Sequence, residues 1–135
     1  MAIQFRMKCP NCAEVFNTGN DTFCPKCRNP MTVRQPALLQ LYRMGNFVGC
    51  AGGFGIYING EPYGHIGNKE SLRFPLPYGS YRLHIAVGMS RKCEDLCFTL
   101  SPENPVVYAK TYMKPGFWSN SFVVTAARPD EMPQD

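Results

Sequence analysis

Four cysteines are spaced so that they could hold one metal ion. The sequences CPNC at residues 9–12 and CPKC at residues 24–27 supply the thiols of Cys9, Cys12, Cys24 and Cys27. A CxxC turn directs two sulfurs to one point, and two such turns provide the four soft ligands of a tetrahedral zinc site, with Zn–S bonds of about 2.3 Å. Four thiolates leave no coordination position for water or substrate, so the spacing predicts a structural Zn²⁺.

Two other chemistries use the same residue types. Iron also binds to tetrahedral thiolate sites, so it remains the alternative metal. A thioredoxin-type redox pair needs a CxxC at the start of a helix, and residues 1–36 have no helical periodicity, which disfavours redox catalysis.

This segment also has few apolar side chains, and a unit below about 40 residues generally needs a metal or another staple to fold.

The cysteine segment resembles the short bacterial and archaeal zinc-ribbon domains. The resemblance lies in MKCPNC at residues 7–12 and FCPKCRNPM at residues 23–31. It implies a metal site but no particular task. Ala13 and Arg28 stand where that family usually has glycine. These positions tend to need positive φ, so we expect either some local strain or a modified turn there.

After Gln35-Pro36, which we interpret as a linker, the pattern changes to period-two alternation. Apolar side chains at 54, 56 and 58, and at 81, 83, 85 and 87, predict core-facing positions. Strands are predicted near 38–44, 54–59, 63–67, 71–76, 81–87, 96–100, 105–112 and 121–127. The prediction is an all-β protein: a zinc ribbon at 1–36, an antiparallel β-sandwich at 37–128 and a disordered acidic tail at 129–135.

Two turns support the β-sandwich. Asn59-Gly60 between alternating runs is the hairpin signal of a type I′ turn, which needs positive φ at both residues, and PYGS at 77–80 offers a second turn. The sequences IYINGE (56–61), HIG (65–67) and LPYGSYRL (76–83) resemble the bacterial PEGA-like sandwich domains. This resemblance implies an immunoglobulin-like sandwich that serves as a binding or surface module, without catalytic residues.

The remaining candidates for chemistry have weaker patterns. His65 and His84 lie on alternating strands, where a surface or satisfied core histidine is the common case. Cys50, Cys93 and Cys97 show no ligand spacing, and we interpret them as idle or buried thiols. The glycine-rich stretch at 49–55 lacks the lysine of a P-loop, and GMSRK at 88–92 lacks the second glycine of a nucleophile elbow. No catalytic residue is therefore predicted.

The loop at 114–120 contains the one tryptophan of the chain. Phe117 and Trp118 lie there between two predicted strands, and exposed loop aromatics are typical of recognition surfaces. The alternative is that both rings fold back over the end of the sandwich, because large aromatic side chains are mostly buried. Of the loops in this sequence, we select this one as the binding surface.

Length, composition and charge limit the functional classes. The chain has 135 residues, 44% of them apolar and 18% charged, which is typical of a globular protein and too short for a large multidomain enzyme. The first residues lack the apolar stretch of about 7 to 15 residues that a signal peptide needs, and no run approaches the ~18 apolar residues of a membrane span. We therefore expect a cytoplasmic protein without a membrane span.

These patterns favour a non-enzymatic, zinc-binding interaction module with a protein partner. The alternative is nucleic-acid binding through the ribbon, with stacking by Phe5 or Phe23. The formal charge of +4 points that way, but Zn²⁺ on four thiolates adds a net −2 and leaves +2. The cations that would contact phosphates are Arg6, Lys8, Lys26, Arg28 and Arg34.

Overall fold

The protein is described by a computed structural model over residues 4–44, 54–67, 69–86, 95–114 and 121–131. Within these ranges the chain forms strands and one short 3-10 helix, and no α-helix. The prediction of an all-β, sandwich-like fold is confirmed.

The cysteine segment contains four short strands. They are β1 (Phe5–Lys8), β2 (Val15–Thr18), β3 (Thr22–Phe23) and β4 (Pro30–Met31).

Eight longer strands follow, and each lies within two residues of its predicted limits. They are β5 (Ala37–Arg43), β6 (Phe54–Ile58), β7 (Glu61–Ile66), β8 (Ser71–Leu76), β9 (Gly79–Ala86), β10 (Asp95–Leu100), β11 (Val106–Lys114) and β12 (Ser121–Ala126). Period-two alternation located these strands because successive side chains point to opposite faces of a sheet, as in β8 and β10, where the more buried positions recur every second residue.

The strands assemble into two larger sheets and one small hairpin. A six-stranded sheet has the order β12-β11-β5-β8-β1-β2, a four-stranded sheet has the order β10-β9-β6-β7, and β3 pairs only with β4. Most neighbours are antiparallel, but β11 pairs with β5, and β1 with β8, in parallel. The sequence pattern did not indicate these two parallel pairings, because a tight turn fixes strand direction only between consecutive strands.

The core lies between the two larger sheets. Phe54, Ile56, Ile58, Leu83 and Ile85 are buried there, as the alternation predicted. Tyr81 is partly buried against the same cluster. The predicted core position 87 lies outside the described residues. The other buried members are Ala37, Leu39, Leu41, Ile66, Leu72, Phe74, Leu76, Leu100, Ala109 and Val124.

The turn between β6 and β7 has the predicted geometry. Asn59 has a φ of 53° and Gly60 a φ of 81°, so both central residues are in the left-handed region that a type I′ turn requires. The Asn59 carboxamide oxygen also accepts a hydrogen bond from the Arg82 backbone N–H at 2.8 Å. This bond ties the turn to β9.

The sheet continues across the predicted boundary at residue 36. Strand β1 from the cysteine segment pairs with β8 of the sandwich, so strands from both sides share the six-stranded sheet. At the other end of the chain, Pro129–Glu131 forms a 3-10 helix within the segment predicted as a tail. The Glu131 carboxylate pairs there with the Lys110 ammonium. Residues 132–135 of the predicted tail lie outside the described residues.

Candidate metal centre

Both CPxC sequences form turns with the same backbone geometry, one between β1 and β2 and one between β3 and β4. In the first turn, the Ala13 N–H donates to the Cys9 carbonyl at 2.8 Å, and in the second the Arg28 N–H donates to the Cys24 carbonyl at 2.9 Å. Ala13 has a φ of 66° and Arg28 a φ of 68°. The expectation of positive φ at these non-glycine residues is confirmed, and both turns carry the associated strain.

The two turns bring the four thiols together. All four Sγ atoms lie within 4.8 Å of one another, with Cys9 and Cys27 at 3.6 Å and Cys12 and Cys24 at 3.5 Å. A tetrahedron with ligands at about 2.3 Å has edges of about 3.8 Å, so these separations fit a single ion. They are too long for disulfide bonds, which measure about 2.05 Å. The four side chains therefore fit a thiophilic metal ion as its complete set of ligands.

N–H groups from the turns point at the sulfurs. The Asn11 N–H donates to Cys9 Sγ and the Lys26 N–H to Cys24 Sγ, each at 3.4 Å, and the Asn11 side-chain amide donates to Cys27 Sγ at 3.4 Å. N–H groups that donate to a sulfur favour the thiolate form, which is the form that binds a metal. The residue between proline and cysteine in each turn thus supports the ligand set through its backbone.

The same contacts separate the pKa values of the thiols. The Asn11 amide, with a backbone N–H, lowers the pKa of Cys27 to about 6. Burial acts to raise the pKa of Cys24, but the backbone N–H groups of Cys27 and Lys26 outweigh it and lower the value. For Cys12 the Glu14 N–H acts in the lowering direction, yet burial and the other three thiols raise the pKa to about 12. A divalent cation that binds all four sulfurs must displace the protons held at high pKa.

The first turn is fixed to the four-stranded sheet by a buried arginine on β1. Arg6 is 8% exposed, and its Nη1 donates to the carbonyls of Tyr63 at 2.8 Å and His65 at 3.0 Å, while Nε donates to the Asn17 side chain at 2.5 Å. Burial lowers the pKa of the Arg6 guanidinium, and the negative charge of Glu70 opposes this effect.

Lys8, two residues after Arg6 on β1, makes a second attachment. Lys8 Nζ lies 3.0 Å from the Glu61 carboxylate and 3.0 Å from the Pro62 carbonyl, and 5.3 Å from the centre of the Tyr63 ring. Only 11% of the lysine side chain is exposed. Arg6 and Lys8 thus attach β1 to β7, and β1 is the strand that leads into the first CPxC turn.

This arrangement divides the cations that the sequence suggested for nucleic-acid contact. Arg6 and Lys8 are held against β7, whereas Lys26, Arg28 and Arg34 are exposed. Arg34 lies 3.6 Å from the Asp21 carboxylate, although its side chain is 86% exposed. Of the two candidate stacking residues, Phe23 is 60% exposed and Phe5 is only partly exposed.

The other sequence candidates do not join the metal centre. His65 is exposed on β7, and Cys97 is exposed on β10. His84 is on β9 with its Nδ1 2.5 Å from the Asp95 carboxylate. Sequence reasoning did not single out Asp95, because only the pairing of β9 with β10 places it opposite His84. In the described part of the chain, the cysteine tetrad is the one group of three or more histidine, cysteine, aspartate or glutamate side chains that could hold a metal.

Several predicted residues lie outside the described ranges. They are Cys50, Cys93, Ser90, Phe117, Trp118 and the glycines at 49, 52 and 53. The selection of Phe117 and Trp118 as a binding surface therefore stays a prediction. Across the described residues, no helix has the length and apolar character that crossing a membrane requires.

Comparison of the chain with family models, with curated proteins and with solved structures gives no match.

Proposed function

We propose that this chain is a non-enzymatic zinc-binding protein that acts as a protein-interaction module. The observation that carries the proposal is the convergence of four thiols within 4.8 Å of one another on two matched turns. Zn²⁺ held by Cys9, Cys12, Cys24 and Cys27 would cross-link these turns and fix a segment that has almost no apolar core of its own. With four protein ligands the ion has a structural role and no position for a substrate.

The surface nearest the metal supports an interaction role. The β3–β4 hairpin, which carries the second CPxC turn, pairs with neither larger sheet. Phe23 on β3 is 60% exposed and lines a surface depression of about 440 Å³ together with Pro30 and Met31. An exposed aromatic side chain on a metal-fixed hairpin is a suitable anchor for a protein partner, because little side-chain entropy is lost when it becomes buried.

The resemblance to bacterial zinc ribbons and PEGA-like sandwich domains agrees with this role, and we expect the protein to act in the cytoplasm. A reducing compartment keeps thiols available for metal binding. Exposed Lys26 and Arg28 beside Phe23 keep nucleic-acid binding as the alternative. That alternative depends on fewer cations than the sequence suggested, since Arg6 and Lys8 are engaged with β7.

The metal assignment is tested by metal analysis of the purified chain. We expect about one equivalent of zinc per chain and, after exchange with Co²⁺, the absorption bands of a tetrahedral thiolate site. Cys24→Ser should lose the ion, whereas Cys97→Ser, which alters an exposed thiol away from the tetrad, should keep it. Iron in place of zinc would change the cofactor assignment, and equal metal content in both variants would refute the site.

The interaction role is tested by affinity capture from the native cell with the wild-type chain. A specific protein partner should be lost with Cys24→Ser and with Phe23→Ala, and retained with Tyr78→Ala, which alters an exposed aromatic residue elsewhere. Recovery of the same partner by Cys24→Ser would remove the metal-bound hairpin as the contact surface. Salt-dependent binding of nonspecific DNA or RNA that weakens in Lys26→Ala would favour the alternative, and flat titrations would remove it.

A further inference from the structure

A row of polar and aromatic side chains crosses the outer face of the four-stranded sheet, on strands that do not contribute to the metal centre. The pairing register places Asp95 of β10 opposite His84 of β9, and His84 opposite Tyr57 of β6. Arg82 lies two residues before His84 on β9 and therefore on the same face. The Tyr57 and His84 rings are 5.9 Å apart, centre to centre, with 54° between their planes.

Asp95 organises this row. His84 Nδ1 lies 2.5 Å from one carboxylate oxygen, and Arg82 Nε lies 3.5 Å from the other. A neutral histidine that donates from Nδ1 to a carboxylate keeps Nε2 as a hydrogen-bond acceptor. Within the described residues, neither that Nε2 nor the Tyr57 hydroxyl has a hydrogen-bond partner. The row thus offers an acceptor from His84, donors from the outer nitrogens of Arg82, and a phenol that can do both.

These side chains surround a shallow groove of about 810 Å³. Its remaining lining residues, Gly60 and Ala86, are small and leave the groove open between the larger side chains. Tyr57 is 36% exposed, so part of its ring is accessible to a ligand in the groove. The positive charge of Arg82 is matched by the negative charge of Asp95, and the cluster is therefore electrically balanced when His84 is neutral.

We propose that this groove binds a neutral saccharide. A sugar ring presents C–H groups that pack on an aromatic face, and its hydroxyls both donate and accept hydrogen bonds, which matches Tyr57, Arg82 and His84. A balanced cluster offers a phosphate or carboxylate no net charge to offset its loss of hydration. The open shape suits a chain of sugars that lies along the sheet. The proposal does not depend on the metal centre.

The test is binding of neutral hexasaccharides, namely cellohexaose, maltohexaose and chitohexaose, to the zinc-loaded chain by calorimetry. The wild-type chain should bind at least one of them. Tyr57→Ala should lower the affinity for that hexasaccharide about tenfold through loss of the stacked ring. Tyr57→Phe should retain most of the affinity. His84→Ala should also weaken binding. Tyr78→Ala, at an exposed tyrosine outside the groove, should bind as the wild type does.

The side chains altered in these variants are on a sheet surface, and a circular dichroism spectrum equal to that of the wild type shows that each has folded. No binding of any hexasaccharide by the wild-type chain overturns the proposal. Equal binding by Tyr57→Ala and wild type also overturns it. So does stronger, salt-dependent binding of the anionic oligogalacturonate, because a balanced cluster gives no preference for charge.

Discussion

Gly64→Ala tests whether Arg6 holds the β1–β2 hairpin, which carries the first CPxC turn, to β7. Gly64 lies on β7 with a φ of +78°, and a Cβ added there would lie 2.6 Å from Arg6 Nη1. Gly60 provides a matched control, because its φ is +81° and a Cβ there would have no atom within 4 Å. The two substitutions impose nearly the same backbone strain. At Gly64 the next side chain, Val15, lies at 3.4 Å, so most of a difference between the two reports the much closer collision with Arg6.

The expected magnitudes follow from this geometry. An alanine in the left-handed region costs about 1 kcal/mol at either glycine. At Gly64 the guanidinium must also move away from the carbonyls of Tyr63 and His65, to which Nη1 donates at 2.8 and 3.0 Å. Hydrogen bonds from a charged donor contribute about 1.5 to 3 kcal/mol, so Gly64→Ala should cost about 2 kcal/mol more than Gly60→Ala.

The assay is equilibrium urea unfolding of the zinc-loaded chain, followed by circular dichroism. The same pair of substitutions is then measured in an Arg6→Ala background, which completes a double-mutant cycle. Without the arginine side chain, the costs at Gly64 and Gly60 should become similar. Equal costs in the wild-type background would refute the proposed role of Arg6, as would a Gly64→Ala excess that persists after Arg6 is removed.

Three further predictions concern metal removal, the core and acid stability. Chelation should unfold the two CPxC turns and the β3–β4 hairpin, which pairs with neither larger sheet, and leave the two larger sheets intact, β1 and β2 included, as measured by hydrogen exchange; loss of all β signal in circular dichroism would contradict this separate unfolding. Phe74 has 0% exposure, so Phe74→Ala should lower the free energy of unfolding in urea by about 3 to 5 kcal/mol. Phe23→Ala, at an exposed side chain, should lower it by less than about 0.5 kcal/mol. Similar losses in the two variants would contradict the core assignment. The Lys110 ammonium and the Arg128 N–H lower the pKa of Glu131. The stability that its ionised carboxylate provides should therefore disappear as the pH falls through that lowered pKa. Glu131→Gln should reduce this acid dependence of the unfolding free energy, and an unchanged pH profile would exclude the contribution.

Much of the fold and of the metal centre could be predicted from the sequence, since the signals involved are local. A CxxC spacing fixes two sulfurs through a few backbone angles, and the departure from glycine at Ala13 and Arg28 predicted the positive φ found there. Asn59-Gly60 specified its turn for the same reason. Strand positions followed from alternation, because one buried face imposes a period of two.

The contacts between distant segments could not be predicted in this way. Arg6 was one of the cations of the alternative nucleic-acid hypothesis, yet it is buried and bonded to carbonyls 57 and 59 positions away. Asp95 had no distinguishing sequence context, and it is paired with His84 only because β10 lies beside β9 in that register. For strands that no tight turn joins, the spacing of residues does not indicate which ones will be neighbours.

The sequence by itself determined the ligand set, the all-β class and the hairpin turns, because each depends on a few consecutive residues. Only the tertiary structure decided that β1 joins the sheet of the sandwich, that β5 and β11 run in parallel, and that an aromatic and polar row forms on the outer face. These outcomes depend on the order and register of strands far apart in the chain. That order is set when the two sheets bury a shared core, which is a property of the whole molecule.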